Sequence, residues 1–166
     1  LKEGHTCYTS NAGIPELRKV LCKYYAQKMG VDYDMDQCLI TVGASEGIDL
    51  AMRALCDPGD EVLVPDPSYA SYSPAVRFTG GVPIPLRLSA QNGFKLDAED
   101  IRRAITPRTK AIVVPHPHHP TGDNMTRQEL TRALAPPGGT DILVTSSRIH
   151  ARVGSGRGPP CPLHSL

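Results

Sequence analysis

Apolar positions along the chain fall into short β-branched runs separated by stripes of helical spacing. Ile14, Leu17, Leu21 and Tyr24 or Tyr25 recur at the interval of a helix; Pro15 suits its first turn, and Gly30 stops it after Met29. Residues 39–42 are a compact apolar run that predicts a short buried strand. A small-residue turn from Gly43 to Gly47 follows, and then a helix with Ile48, Met52 and Leu55 on one face. Beyond a turn at 57–60, residues 61–65 read as a buried strand, 69–78 as a helix ending at Gly80-Gly81, and 82–88 as an alternating strand. Pro83 and Pro85 place that last strand at a sheet edge, because proline has no amide to give to a ladder. Asp97 caps a short helix carrying Ile101 and Ile105, and residues 110–114 form the next strand. Thr126 with Glu129 three residues on has the spacing of a capping box, and 141–145 is again a strand. Strand and helix alternate four times, which predicts an α/β fold with a mostly parallel sheet and helices on both faces. Ligands in such sheets bind beyond the carboxyl ends of the strands, so chemistry is expected in the loops at Gly43, Pro65, Pro115 and Thr145.

From Ala151 the pattern stops: the last 16 positions are dense in glycine and proline and lack apolar periodicity. The expectation is one domain over residues 1–150 and a disordered tail over 151–166. At 166 residues the chain is long enough for a sizeable core. Lys and Arg number 18 against 17 Asp and Glu, which gives no electrostatic case for nucleic acid or an anionic membrane as partner. No apolar run approaches membrane-spanning length, and no signal peptide is visible. The five cysteines, Cys7, Cys22, Cys38, Cys56 and Cys161, have no C-x-x-C or zinc-type spacing. Their odd number fits reduced thiols in a cytoplasm. The sequence opens on Leu1 rather than Met, as a chain shortened at its N-terminus would.

The turn at 43–47 is where the residues first suggest function. Small residues between a strand and a helix leave backbone amides at the positive end of the helix, where an anion such as a phosphate can settle. The plainer reading is a well-capped helix, with Ser45 near the cap and Glu46 favourable in the first turn. The same residues also spell G-x-S-x-G, the nucleophile elbow of α/β-hydrolases, with Ser45 as the nucleophile. Only 44 residues precede Ser45, too few for the oxyanion-hole loop and the earlier strands that an elbow requires.

Five stretches in order resemble the class I and II aminotransferases, pyridoxal-phosphate enzymes of fold type I. They are Tyr8-Thr-Ser-Asn-Ala-Gly-Ile-Pro-Glu-Leu-Arg18, Ile40-Thr-Val-Gly-Ala-Ser-Glu-Gly47, Asp57-Pro-Gly-Asp-Glu-Val-Leu-Val-Pro-Asp-Pro-Ser-Tyr69, Arg77-Phe-Thr-Gly-Gly81 and Pro120-Thr-Gly122. The resemblance implies the large, cofactor-binding domain of that fold in truncated form, with amino acid and 2-oxo acid substrates. It also implies a homodimer with shared sites. It places the cofactor phosphate on the backbone of Ala44 and Ser45 and on the Ser45 hydroxyl, the pyridine ring against Tyr69, and Tyr8 on the phosphate of the neighbouring subunit. The plainer roles of these residues are a helix cap, ordinary packing and a loop anchor.

The resemblance breaks at three places. His119 stands where the family has an asparagine that donates to the cofactor's ring oxygen, in a loop whose three histidines raise a metal site. Pro117 stiffens that loop and no acidic or cysteine partner accompanies it, so no metal is expected. Ser147 and His150 replace the Asp and Tyr of the family's Ser-Asp-Glu-Ile-Tyr strand end, and a serine cannot supply the charge that keeps the pyridine nitrogen protonated. Lys110 is the last lysine, whereas the family forms its Schiff base on one further downstream. The reading is therefore an aminotransferase gene whose chain here is a fragment or decayed copy without the catalytic lysine. A frameshift, a gene-model error and gene decay stand as equal accounts of the change near Ser146. An α/β-hydrolase using Ser45 and a non-catalytic remnant that binds a phosphate-bearing ligand are the alternatives. Residues 151–166 lack the apolar surface needed to offset ordering entropy, so their amides are expected to exchange with solvent deuterium at unprotected rates; slow exchange there would contradict the reading.

Overall fold

The structure is a computed structural model that describes residues 2, 4, 6–122, 125–135 and 141–147. The expected disorder of 151–166 and the position of His150 lie outside the described residues. The chain divides into two compact units, Leu1–Glu46 and Gly47–Leu166.

In the first unit, α1 spans Pro15–Met29, with proline at its start and Gly30 closing it in the left-handed conformation at φ 67°. Its apolar stripe is exposed at Ile14 and Leu17 and half-buried at Leu21 and Tyr24, and the buried side chain of α1 is Arg18, 7% exposed. A buried guanidinium is tolerable because carbonyls receive it. Its Nε donates to the Cys38 carbonyl at 2.7 Å and its Nη2 to the Met35 carbonyl at 2.6 Å, with the Asp36 carboxylate at 3.4 Å. These bonds hold a single 3₁₀ turn, Met35–Gln37, against the helix. Residues 39–42 are not the buried strand that their composition predicts. Val42 is 89% exposed, and the run makes one backbone bond to another segment, from the Ile40 amide to the Ala12 carbonyl at 3.0 Å. A strand is defined by a neighbour to pair with, and no described strand pairs with this run.

Helix α2, Gly43–Leu55, leads into the second unit, followed by β1 (Glu61–Asp66), α3 (Tyr72–Phe78), β2 (Val82–Arg87), α4 (Ala98–Ala104), β3 (Thr109–Pro115), α5 (Arg127–Ala133) and β4 (Leu143–Ser147). The sheet order is β2-β1-β3-β4 with every pairing parallel. The proline-bearing β2 lies at an edge, as expected. The helix expected over 69–78 starts at Tyr72, and the strand expected over 141–145 runs two residues later.

Strands β1 and β3 are covered on both sides, which is why they read as continuous apolar runs. Val62, Val64, Ala111 and Val113 pack against Ile48 and Met52 of α2 and Tyr72 and Val76 of α3. Leu63, Ile112 and Val114 face the other way, onto Ile101 of α4 and Leu130 of α5. At the amino end of the sheet, the buried Glu61 carboxylate accepts from the Thr106 hydroxyl at 2.5 Å and from the Arg108 guanidinium at 2.6 and 3.0 Å. The Thr106 hydroxyl and then the Arg108 guanidinium hold the Glu61 carboxyl below its ordinary value.

The capping box of α5 is formed: the Glu129 carboxylate accepts the Thr126 amide at 2.7 Å and Lys95 reaches the same side chain at 2.7 Å. Lys95 first, and then the Thr126 amide, bring the Glu129 carboxyl from 4.5 down to about 2. A depressed folded-state pKa contributes stability that is full above the unfolded value and fades as pH falls towards the folded one. Glu129→Gln is therefore expected to cost about 1 kcal/mol at neutral pH and less as pH falls from 4.5 towards 2, the difference shrinking across that window in urea titrations.

Candidate functional site

The small-residue turn opens directly into α2, with Gly43 at φ +77° as the first helical residue. That φ lies where L side chains are strained, and the space beside Gly43 is open, since a Cβ built there meets nothing within 4 Å. The Thr41 hydroxyl donates to the Gly43 carbonyl at 2.9 Å, and the Glu46 carboxylate accepts the Val42 amide. Ala44 and Ser45 then occupy the first turn on the exposed surface, where the helix presents its positive end. This is the physical form of an anion seat. Tyr8, in the same unit, is fully exposed.

In the second unit the parallel pairing sends the carboxyl ends of all four strands to one edge, and three of the expected loops meet there. Pro115 is paired with Ser147, and the His116 amide donates to the Ser147 carbonyl at 3.0 Å. Tyr69, in the loop after β1, is half-buried and stands edge-to-face with His119 from the loop after β3, ring centres 5.4 Å apart at 87°. That histidine loop is a tight turn: His118 Nδ1 and the Thr121 hydroxyl are hydrogen-bonded at 2.7 Å, and the Gly122 amide donates to the His118 carbonyl at 2.8 Å.

Beneath Tyr69 lies a residue that the sequence reading did not single out. Tyr72 is 1% exposed, packs edge-to-face on Tyr69 at 5.8 Å, and shares a hydrogen bond with the Ser147 side chain. Burial pushes the Tyr72 phenol above its ordinary value, and the Ser147 contact draws it partly back. Its only sequence signal is the Tyr-x-x-Tyr spacing from Tyr69. The structure thus brings together Tyr69, Tyr72, His119 and Ser147.

The elbow reading of Ser45 fails on local geometry. A hydrolase nucleophile sits on a strained turn after a strand, whereas Ser45 lies inside the first turn of α2 and no described strand precedes it. Among the described residues Phe94 is the one non-glycine with positive φ. Among the same residues, no group of three or more His, Cys, Asp or Glu side chains is placed to hold a metal ion, and no helix is long and apolar enough to cross a membrane.

Comparison with known proteins bears on the family and the fold. The sequence profile of the family described as aminotransferase class I and II matches residues 2–161. The aspartate aminotransferase of Geobacillus stearothermophilus is 36% identical over 156 residues, 94% of this chain and 40% of that protein. The aspartate/prephenate aminotransferase of Thermus thermophilus is 42% identical over 135 residues, 81% of this chain and 35% of that one. The solved structure of an alanine aminotransferase from Pyrococcus furiosus superposes with a TM-score of 0.83 at 41% identity, covering 91% of this chain and 38% of that chain. The chain spans about 40% of the length of the curated relatives it matches. With a family match over nearly the whole sequence and the same α/β architecture in its relatives, the chain belongs to the class I and II aminotransferases.

Proposed function

We propose that these residues serve a pyridoxal-phosphate-dependent aminotransferase, moving an amino group from an amino acid to a 2-oxo acid, by supplying the phosphate seat and the ring platform of the cofactor. The observation that carries the reading is the opening of α2. Gly43 at φ +77° brings Ala44 and Ser45 to an exposed helix start, with open space beside the glycine. Phosphate binding there uses fixed backbone donors and the Ser45 hydroxyl. Tyr69 offers a half-buried ring as an apolar platform. His119 is assigned to the cofactor's ring oxygen and Tyr8 to the phosphate of the neighbouring subunit in a homodimer, while His150, which replaces the family's tyrosine, lies outside the described residues. The proposed compartment is the cytoplasm.

The demands of binding and of chemistry separate in this chain. When bound, pyridoxal phosphate supplies an electron sink for chemistry at the substrate's α-carbon, and that sink depends on a charged ring nitrogen. The residue present at the matching position is Ser147, whose hydroxyl is bonded to a buried phenol, and no lysine follows Lys110. The residues fit the phosphate and the ring face; they do not fit the ring nitrogen or the imine, and no reaction step is assigned through them.

The 166-residue chain is expected to bind pyridoxal phosphate weakly and to show no transamination. Ser45→Ala should weaken binding about fivefold, the equivalent of roughly 1 kcal/mol for one hydrogen bond to a charged group, read by absorbance titration. Unchanged affinity would move the seat away from α2. Turnover of any amino acid with 2-oxoglutarate would overturn the separation of binding from chemistry. It would also mean that a lysine no later than Lys110 carries the imine, which borohydride reduction and peptide mapping would locate.

A further inference from the structure

The first unit contains a pair of thiols that the aminotransferase reading does not use. Cys22 lies one turn beyond Arg18 on the same face of α1, and the two side chains grip the same short segment. Arg18 holds the carbonyls of Met35 and Cys38, while the Cys22 thiol donates to the Asp34 carbonyl at 3.7 Å. The single turn of Met35–Gln37 then brings Cys38 back to α1, its amide bonded to the Met35 carbonyl at 3.1 Å. The Cys22 thiol thus sits against the segment that ends in Cys38, near enough for the two thiols to influence each other, each half-buried and each free. Distance along the chain conceals this pair, since 16 positions separate two cysteines that the Arg18 bonds draw together by holding the Cys38 backbone on α1.

We propose that Cys22 and Cys38 are a disulfide-forming pair, a redox modification site whose oxidant is a small peroxide. One thiolate takes an oxygen atom from hydrogen peroxide, giving a sulfenic acid and releasing hydroxide. The second thiolate attacks that sulfur, the S–S bond forms, the S–O bond breaks and hydroxide leaves. Two thiols and one peroxide become one disulfide and two waters. The product ties α1 covalently to the segment that runs on, through residues with little backbone bonding of their own, to Gly43. Burial first, and then the neighbouring Cys22, hold the Cys38 thiol above its ordinary value, so it is protonated at neutral pH and its oxidation is expected to quicken as pH rises.

The test is peroxide titration of the reduced, folded 166-residue chain, followed by intact mass, thiol counting and non-reducing peptide mapping. The expected result is a mass lower by two hydrogens, loss of two of the five titratable thiols, and one cross-linked peptide joining Cys22 to Cys38. Cys7→Ser should leave that product unchanged, whereas Cys22→Ser and Cys38→Ser should each abolish it and leave oxygen adducts on the remaining thiol. In concentrated urea the pairing should scatter over the cysteines, because the contact belongs to the folded unit. A folded-state cross-link to Cys7, Cys56 or Cys161, the same Cys22–Cys38 product dominating in urea, or persistence of both thiols under excess peroxide would each overturn the proposal.

Discussion

Parallel pairing is the constraint on which the second unit depends. Strands that all run one way cannot be joined by tight hairpins, so each return must cross a face of the sheet, and here helices make those crossings. Their apolar sides bury β1 and β3 on both faces, with the odd and even positions of each strand serving two separate clusters. The same constraint gathers every carboxyl end at one edge. Tyr69, His119 and Ser147, far apart in sequence, become neighbours because direction is conserved from strand to strand, and no contact between their side chains has to be strong for that to hold.

Much of this was legible from residues 57 to 147. Pro83 and Pro85 marked an edge, Asp97 and Thr126 marked helix starts, and the runs at 61–65 and 110–114 were apolar enough to be central. These signals are local, and local chemistry decides them. Failures came where a partner decides instead. Residues 39–42 have strand composition, but composition does not supply a neighbour, and the run lies exposed. In α1 the buried position is Arg18 rather than a residue of the apolar stripe, because three oxygen acceptors from 35–38 converge on it. The start of the helix at Tyr72 rather than Tyr69 has the same origin, with Tyr69 drawn into the loop cluster beside His119.

The site was legible in part, and the division is again physical. An anion seat at α2 could be read from Gly43, Ala44 and Ser45, since small residues before a helix carry their meaning in the backbone. The Tyr72–Ser147 contact could not, because it depends on the register that sets β4 beside β3. Ser147 read from sequence is a missing carboxylate; in the structure its hydroxyl is bonded to a buried phenol, so the position is a filled polar contact rather than a gap.

The buried Glu61 with Thr106 and Arg108 sits at the amino end of the sheet, opposite the loops that carry the histidines and Ser147. Folding is thus anchored at one pole and chemistry displayed at the other. Exchanging a donor at the display pole is felt by whatever binds there, while the anchor keeps its carboxylate, hydroxyl and guanidinium. An architecture polarised in this way can have its reactive groups rewritten one at a time without being unmade, which makes the fold a conservative frame around an experimental rim.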